Sequence, residues 1–344
     1  MGYELRTMVV DPKRQTFDNL VERFGDRPAS RYQEGSFDLQ ATEHFHYRPT
    51  WDPIHEIYDP DYTALQLTDP YSFVDPRQYY YAAYVADASA RYESFAQTLK
   101  YIEDRRLLDR LPEEWRHTMV TSVLPLRHYE QGGQLISSNA CRFAWGTTIS
   151  QAAVYAAFDR IGNAQVLSLV GLALAGGAAD TLTEAKKNWL YAAPLQGLRR
   201  LVEEALVEPD WAAGLVALDL ADAQLYPMLF THMDDRALFH GAGAYSLLAR
   251  HLNDWYTSQR KWLQALYKAW ANDPDHGDGN RKALGDIVAR WYPQVTDAVR
   301  SLAQGIAALG SVTVVSAAAR GAAQAAAELT KLGVPVTTSQ GAPR

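Results

Sequence analysis

Residues 112–133 read PEEWRHTMVTSVLPLRHYEQGG, with Glu114 three positions ahead of His117. On a helix, residues three apart lie on one face. Di-iron carboxylate bundles take two ligands from such a Glu-x-x-His helix. A complete site adds a second such pair and one carboxylate from each of two further helices. The chemistry in question is therefore oxygen chemistry at a metal.

The other ligands do not assemble. Among the nine histidines only Glu43 and His46 repeat the spacing, and they lie in EHFHYRPTW, a proline-bearing stretch outside any long helix. Asp52/His55 and Asp273/His276 offer aspartate instead, and each pair straddles a proline. His128 follows His117 by eleven residues, about three helical turns, so the two point alike. The position three before His128 is Pro125 rather than an acid. An iron site also needs inward carboxylates as hard oxygen donors. The apolar stripe Tyr81, Tyr84, Val85, Ala88, Tyr92, Phe95, Leu99 and Ile102 contains none, and Asp87, Glu93 and Glu103 lie beside it. Glu113 and Glu114 occupy a first helical turn, where the helix dipole favours a carboxylate. The residues thus read Glu114, His117 and His128 as structural, with no catalytic, cofactor-binding or metal residue in this chain.

Other motifs carry less. Gly241-Ala-Gly243 lacks a third glycine and a preceding strand, which argues against dinucleotide binding. The loop 272–280 has no glutamate at the twelfth position of a calcium loop. No G-x-S-x-G elbow is present. The run Tyr79-Tyr80-Tyr81 reads as a helix start with core and interface tyrosines.

The elements that would position these residues are helical. Apolar residues recur three and four apart from residue 79 onward, with an end near Arg105-Arg106. Pro112 opens a second helix. A third runs from Thr147 towards Gly162, with that glycine as its C-cap, and a fourth covers 164–176. Thr181-Leu-Thr-Glu184 reads as a capping box. Pro194 breaks or bends that helix, and Asp210-Trp211 starts another. Further helices cover 236–271, 281–308 and the alanine-rich stretch to 332. Residues 311–316, SVTVVS, are ambiguous between strand and helix. The fold class is all-α, a long-helix bundle over 79–332. Residues 1–78 form an extended arm rich in proline and aromatics, including Phe45, Tyr47, Trp51, Tyr58, Tyr62, Tyr71 and Phe73. Such an arm buries its rings on its own body or on a partner. Residues 333–344 read as a frayed tail.

Composition agrees with a soluble, cytoplasmic protein. The chain has 344 residues and a net charge of -7, which disfavours nucleic acid as a partner. Cys141 is the only cysteine, so no intrachain disulfide forms; it reads as a packed thiol in a reducing compartment. The N-terminus lacks a signal-peptide core. The most apolar stretch, AQVLSLVGLALAGGAA (164–179), is short of a membrane span.

Longer stretches point further. RFGDRPASRYQEGSFDLQATEHFHYRPTW, DPRQYYYAAY, EWRHTMVTSVLPLRHYEQGG, AAFDRIGNAQ and NWLYAAPLQGLRRLVEEALVEPDWAAGLVALDL occur in this order along most of the chain. In these stretches the chain resembles the β subunit of bacterial multicomponent monooxygenase hydroxylases, most of all phenol hydroxylase. The Trp115-x-His-Thr-Met119 run followed by Pro125-Leu-Arg is shared with toluene monooxygenase β chains. The resemblance implies a ferritin-like, ribonucleotide-reductase-like bundle and a non-catalytic subunit. It implies α and γ partners in a dimer of αβγ units, and a di-iron centre in α. It also implies an NADH-dependent reductase, a small effector protein and conversion of phenol to catechol with O2. The alternatives are a β subunit of a toluene or alkane/alkene monooxygenase, a stand-alone di-iron enzyme using Glu114 and His117, and an unrelated helical adaptor.

Overall fold

The computed structural model describes residues 18–25, 27–43, 48, 50, 52–310 and 312–336. Among these the regular elements are helices, with no strand. Two short helices come first among the described residues, α1 (Asp18–Phe24) and α2 (Arg31–Glu34). The body then runs α3 (Tyr81–Asp104), α4 (Glu113–Thr118), α5 (Leu126–Phe143), α6 (Thr147–Leu174) and α7 (Asp180–Tyr191). It continues with α8 (Ala193–Leu206), α9 (Trp211–Tyr226), α10 (Met233–Ala237), α11 (Gly243–Ala271), α12 (Gly277–Ala308) and α13 (Val315–Lys331). The all-α bundle expected from the sequence is what forms.

Local chemistry explains most helix ends. Asp210 caps α9 by accepting from the amides of Ala212 and Ala213. Pro194 sits in the first turn of α8, where its missing N–H costs nothing. Gly146 takes φ +102° between α5 and α6, packed on Pro70, and lets the chain reverse into a closely packed helix pair. Two π-helical segments, Met119–Val123 and Pro227–His232, occur where Pro125 and Pro227 cannot continue the α ladder.

Four expectations fail for physical reasons. The helix expected over 236–271 is broken between α10 and α11 by a turn in which Gly241 takes φ +72°. Gly162 is not a C-cap: α6 runs straight through it to Leu174 as one helix, and the missing Cβ makes room for the Tyr92 hydroxyl. The capping box at Thr181 does not form. The Thr181 hydroxyl donates instead to the Gly171 carbonyl at 2.6 Å, and α7 begins at Asp180. The last long helix before α13 begins at Gly277, not near 281, because the Asp273 carboxylate accepts from the amides of Asp275 and His276 and starts the turn early.

The single large core holds five fully buried tryptophans, Trp115, Trp255, Trp262, Trp270 and Trp291. Residues of the N-terminal segment enter it. Tyr62 stacks on Phe143 at 4.8 Å, and Leu65, Leu67 and Phe73 are buried there. Polar groups stitch the segment down. Asp210 accepts from the Ala64 amide at 2.9 Å and Asp273 from the Thr68 amide at 2.8 Å. Asn280 exchanges two bonds with the Gln66 backbone. Leu20, Tyr32 and Phe37 form a separate small cluster. Phe45, Tyr47 and Trp51 lie outside the described residues, as do 337–344 of the tail; Val334 is fully buried in the core.

Candidate functional site

The helix α4 is six residues long, and Glu114 and His117 both sit on its exposed side while Trp115 fills the core. Their backbone carbonyls accept from the hydroxyls of Thr118 and Thr121. No third ligand-type side chain meets them: among the described residues no group of three His, Cys, Asp or Glu comes together. His128 lies elsewhere, on α5, with its ring 6.1 Å from that of Trp189. Burial pushes its pKa down to about 4, so the imidazole is neutral at physiological pH. Asp52 and Asp273 act as turn caps. Each accepts from the amides two and three residues on, which accounts for the Asp-x-x-His spacing without a metal. His46 lies outside the described residues.

The polar centre of the bundle is built from other residues. Four helices, α5, α6, α9 and α11, converge on Arg160, whose side chain is 1% exposed. Its guanidinium donates to Glu130 of α5 at 3.3 Å and, at close range, to Asp222 of α9. Asn163 stands three residues after Arg160 and reaches the same Glu130 oxygen at 3.4 Å. The Tyr129 hydroxyl donates to Asp222 at 2.7 Å and the Tyr226 hydroxyl to Glu130 at 2.5 Å. Trp255 of α11 covers the guanidinium face at 5.1 Å. Gly133 lets Arg160 in: a Cβ there would collide with the guanidinium stem.

Burial dominates the electrostatics. Desolvation lifts the Glu130 pKa to about 7 against the pull of Arg160, and lifts Asp222 as well. Burial also works against the Arg160 charge, but Asp222 and Glu130 overcome it and hold the guanidinium protonated. Two flanking clusters repeat the pattern. Asp159 accepts from Tyr84 at 2.9 Å, Arg91 at 2.8 Å and the Trp255 indole at 3.2 Å. Asp219 pairs with Arg260 and accepts from Tyr267 at 2.8 Å.

This donor set does not fit a di-iron centre. Such a bundle site draws carboxylates from two helices and Glu-x-x-His from two more. Here α6 presents Arg160-x-x-Asn163 with the same spacing, a cation and an amide in place of an acid and an imidazole. Where the two carboxylates converge, a fixed positive charge already sits.

Sequence reasoning missed this cluster because its search was keyed to glutamate and histidine. A signal was available. Asp159 and Arg160 are the only charges in the 28 residues of α6, and Asp219 and Asp222 the only charges in the 16 of α9. Charges that rare in strongly apolar helices point inward to one another.

The fold and sequence have clear relatives. The family described as Methane/Phenol/Alkene Hydroxylase matches residues 51–274. The chain is 39% identical to the phenol 2-monooxygenase oxygenase component DmpL of Pseudomonas sp. (strain CF600), covering 91% of this chain and 95% of that protein. It is 35% identical to MhpL, the corresponding component of Acinetobacter pittii, over 87% and 92%. Phenol hydroxylase from Pseudomonas sp. OX1 superposes with a TM-score of 0.88 at 34% identity, covering 97% of this chain and 99% of that one. A chain of toluene 4-monooxygenase, at 19% identity and a TM-score of 0.74, shares the fold. The chain belongs to the methane/phenol/alkene hydroxylase family, as a homologue of the phenol hydroxylase oxygenase component.

Proposed function

We propose that the chain is the structural, non-catalytic β subunit of a phenol hydroxylase built as a dimer of αβγ units. In this reading the di-iron centre belongs to the α subunit, and the hydroxylation of phenol by O2 takes place there. Electrons come from NADH through a separate reductase, and a small effector protein acts on the complex. The α, β and γ chains meet in the cytoplasm. Glu114, His117 and His128 are structural in this chain.

The observation that supports a non-catalytic role is the Arg160 cluster. A guanidinium bonded to Glu130 and Asp222 supplies the positive charge that buried carboxylates require, without a metal. What this chain's residues do is rigidify. Four helices are tied at one internal point, and a rigid neighbour helps hold a partner's ligand helices in place. Phenol is favoured over toluene or propane because the phenol components are 35–39% identical, against 25% for a toluene-4-monooxygenase β subunit and 23% for a propane 2-monooxygenase small subunit.

Iron analysis tests the reading. The isolated chain should carry little iron, and the complex with α and γ about two irons per α chain. Glu114→Ala and His117→Ala should leave the iron of the complex unchanged. Stoichiometric iron in the isolated chain, lost in either variant, would make it a di-iron protein in its own right.

A further inference from the structure

One buried carboxylate differs from its neighbours. At the bundle centre Asp222 uses both oxygens, one for the Tyr129 hydroxyl and one for Arg160. Glu130 divides its pair between Tyr226 and Arg160, and Asp159 serves Tyr84 and Arg91 with one oxygen and the Trp255 indole with the other. Asp219 of α9 does not share its load. Arg260 and Tyr267 both donate to Oδ2, while Oδ1 is buried with no hydrogen-bond partner among the described residues. The residue is 3% exposed. A buried carboxylate oxygen without a donor costs free energy until a donor arrives.

Asp219 also lines a pocket of about 200 Å³ between α9, α11 and α13. Leu220 and Ala223 of α9, Tyr267 of α11, and Ala325 and Leu329 of α13 make its walls, all of them buried. Arg260 pairs with Asp219 and with Glu328 of α13, so the three helices meet on one arginine beside the pocket. An apolar pocket with one unsatisfied polar group is the usual form of a small-ligand site. The charges narrow the ligand. Arg260, Lys268 and Lys331 line the same pocket and would repel an ammonium. A carboxylate would meet the negative charge of Asp219 itself. A neutral hydroxyl on an apolar body satisfies both.

We propose that the α9–α11–α13 pocket binds a small one-ring phenol, whose hydroxyl donates to Asp219 Oδ1 and whose ring lies among Leu220, Ala223, Ala325 and Leu329. A hydrogen bond to an ionised oxygen is of the strong kind, and the phenolic hydroxyl is a good donor. The Tyr267 ring in the wall suits an aromatic body. The choice of an aromatic alcohol over an aliphatic one also rests on the subunit reading above, in which the complex handles phenol. The pocket and the unpaired oxygen stand without it.

Fluorine NMR on the isolated full-length chain tests this, with 4-fluorophenol as the probe. Its signal should shift and broaden saturably as the chain is added. The methyl ether 4-fluoroanisole has the same ring and no hydroxyl donor, and should bind about tenfold more weakly. Ala325→Leu fills the pocket and should abolish saturable binding. Asp219→Asn should remove most of the preference for the phenol over the ether. Circular dichroism checks that both variants fold, and the comparison of the two probes on the wild-type chain needs neither variant. Absence of saturable binding, equal binding of the two probes, full binding by a folded Ala325→Leu chain, or an unchanged preference in a folded Asp219→Asn chain overturns the site. Competition by cyclohexanol as strong as that by phenol overturns the choice of an aromatic ligand. Phenol turnover by the assembled wild-type complex is measured separately. Its absence overturns the subunit reading, whereas failure of binding to the isolated chain overturns the pocket and leaves that reading intact.

Discussion

Helices α6 and α8 belong to one bundle and follow opposite rules. In α8, Leu195, Leu198, Leu201, Val202 and Ala205 face the core, while Arg199 and Arg200 pair with Glu203 and Glu204 on the solvent side. That is the ordinary amphipathic pattern. In α6 the charges are inside and phenylalanine, isoleucine and leucine are outside. A helix of the first kind is explained by its own chain. A helix of the second kind is explained only if something covers the outside and if the inside charges hold one another. Geometry supplies the second condition through Arg160, and assembly with the partner subunits proposed above supplies the first.

The largest effect should come from breaking the inner set. Arg160→Met removes the cation and leaves Glu130 and Asp222 buried side by side. Breaking a buried pair on one side costs about 3–5 kcal/mol, since a charge is left uncompensated. Urea unfolding of the isolated chain should show that loss. Adding Glu130→Gln and Asp222→Asn to Arg160→Met should restore most of it, because no buried charge then lacks a counter-charge. If Arg160→Met alone is neutral, the cluster does not hold the four helices together.

A smaller effect is expected with pH. The Glu130 pKa is raised from 4.5 in the unfolded chain to about 7 in the fold. Between those values the folded state binds the extra proton, so this group's contribution is fully present below pH 4.5 and is lost as pH rises through about 7. Each pKa unit corresponds to about 1.4 kcal/mol, giving a swing of about 3 kcal/mol. His128 and His251, both pushed down to about 4 by burial, act with the opposite sign and lose stability as pH falls from 6.5. The difference between wild type and Glu130→Gln isolates the carboxyl. The variant should gain relative stability steadily from pH 4.5 to 7, and a flat difference would mean that Glu130 titrates normally.

The same contrast accounts for what was legible in the sequence. Helix starts at Pro112 and Asp210, and the break at Pro194, were readable because caps and prolines act within one turn. Gly162 and Thr181 misled because a glycine and a threonine can serve tertiary contacts, with Tyr92 and Gly171, as readily as they end or begin a helix. The centre was not readable from any single segment. Glu130, Arg160 and Asp222 lie on three helices, and only the fold brings them together. Their types also differ from the acid and imidazole set that the Glu-x-x-His pattern directs a reader to seek. The longer resembling stretches identified the family where the spacing of chemically active residues could not.

The smallest effect sharpens the comparison from the other side. On α8, Glu203 accepts from Arg199 at 2.8 Å across one turn, and its side chain is 58% exposed. Water and salt screen such a pair, and ordering two long side chains offsets part of its attraction. Glu203→Gln should therefore change stability by no more than about 0.5 kcal/mol in urea unfolding. Raising the salt should shrink even that difference, whereas the loss in Arg160→Met should persist because buried charges are poorly screened. Both sites contain an arginine bonded to a carboxylate at similar range, so contact geometry alone would give them similar weight. A several-fold gap between them would place the controlling variable in burial. Equal losses at the two sites would mean that α8 depends on its surface pairs and that the division between an ordinary and an inverted helix is not an energetic one.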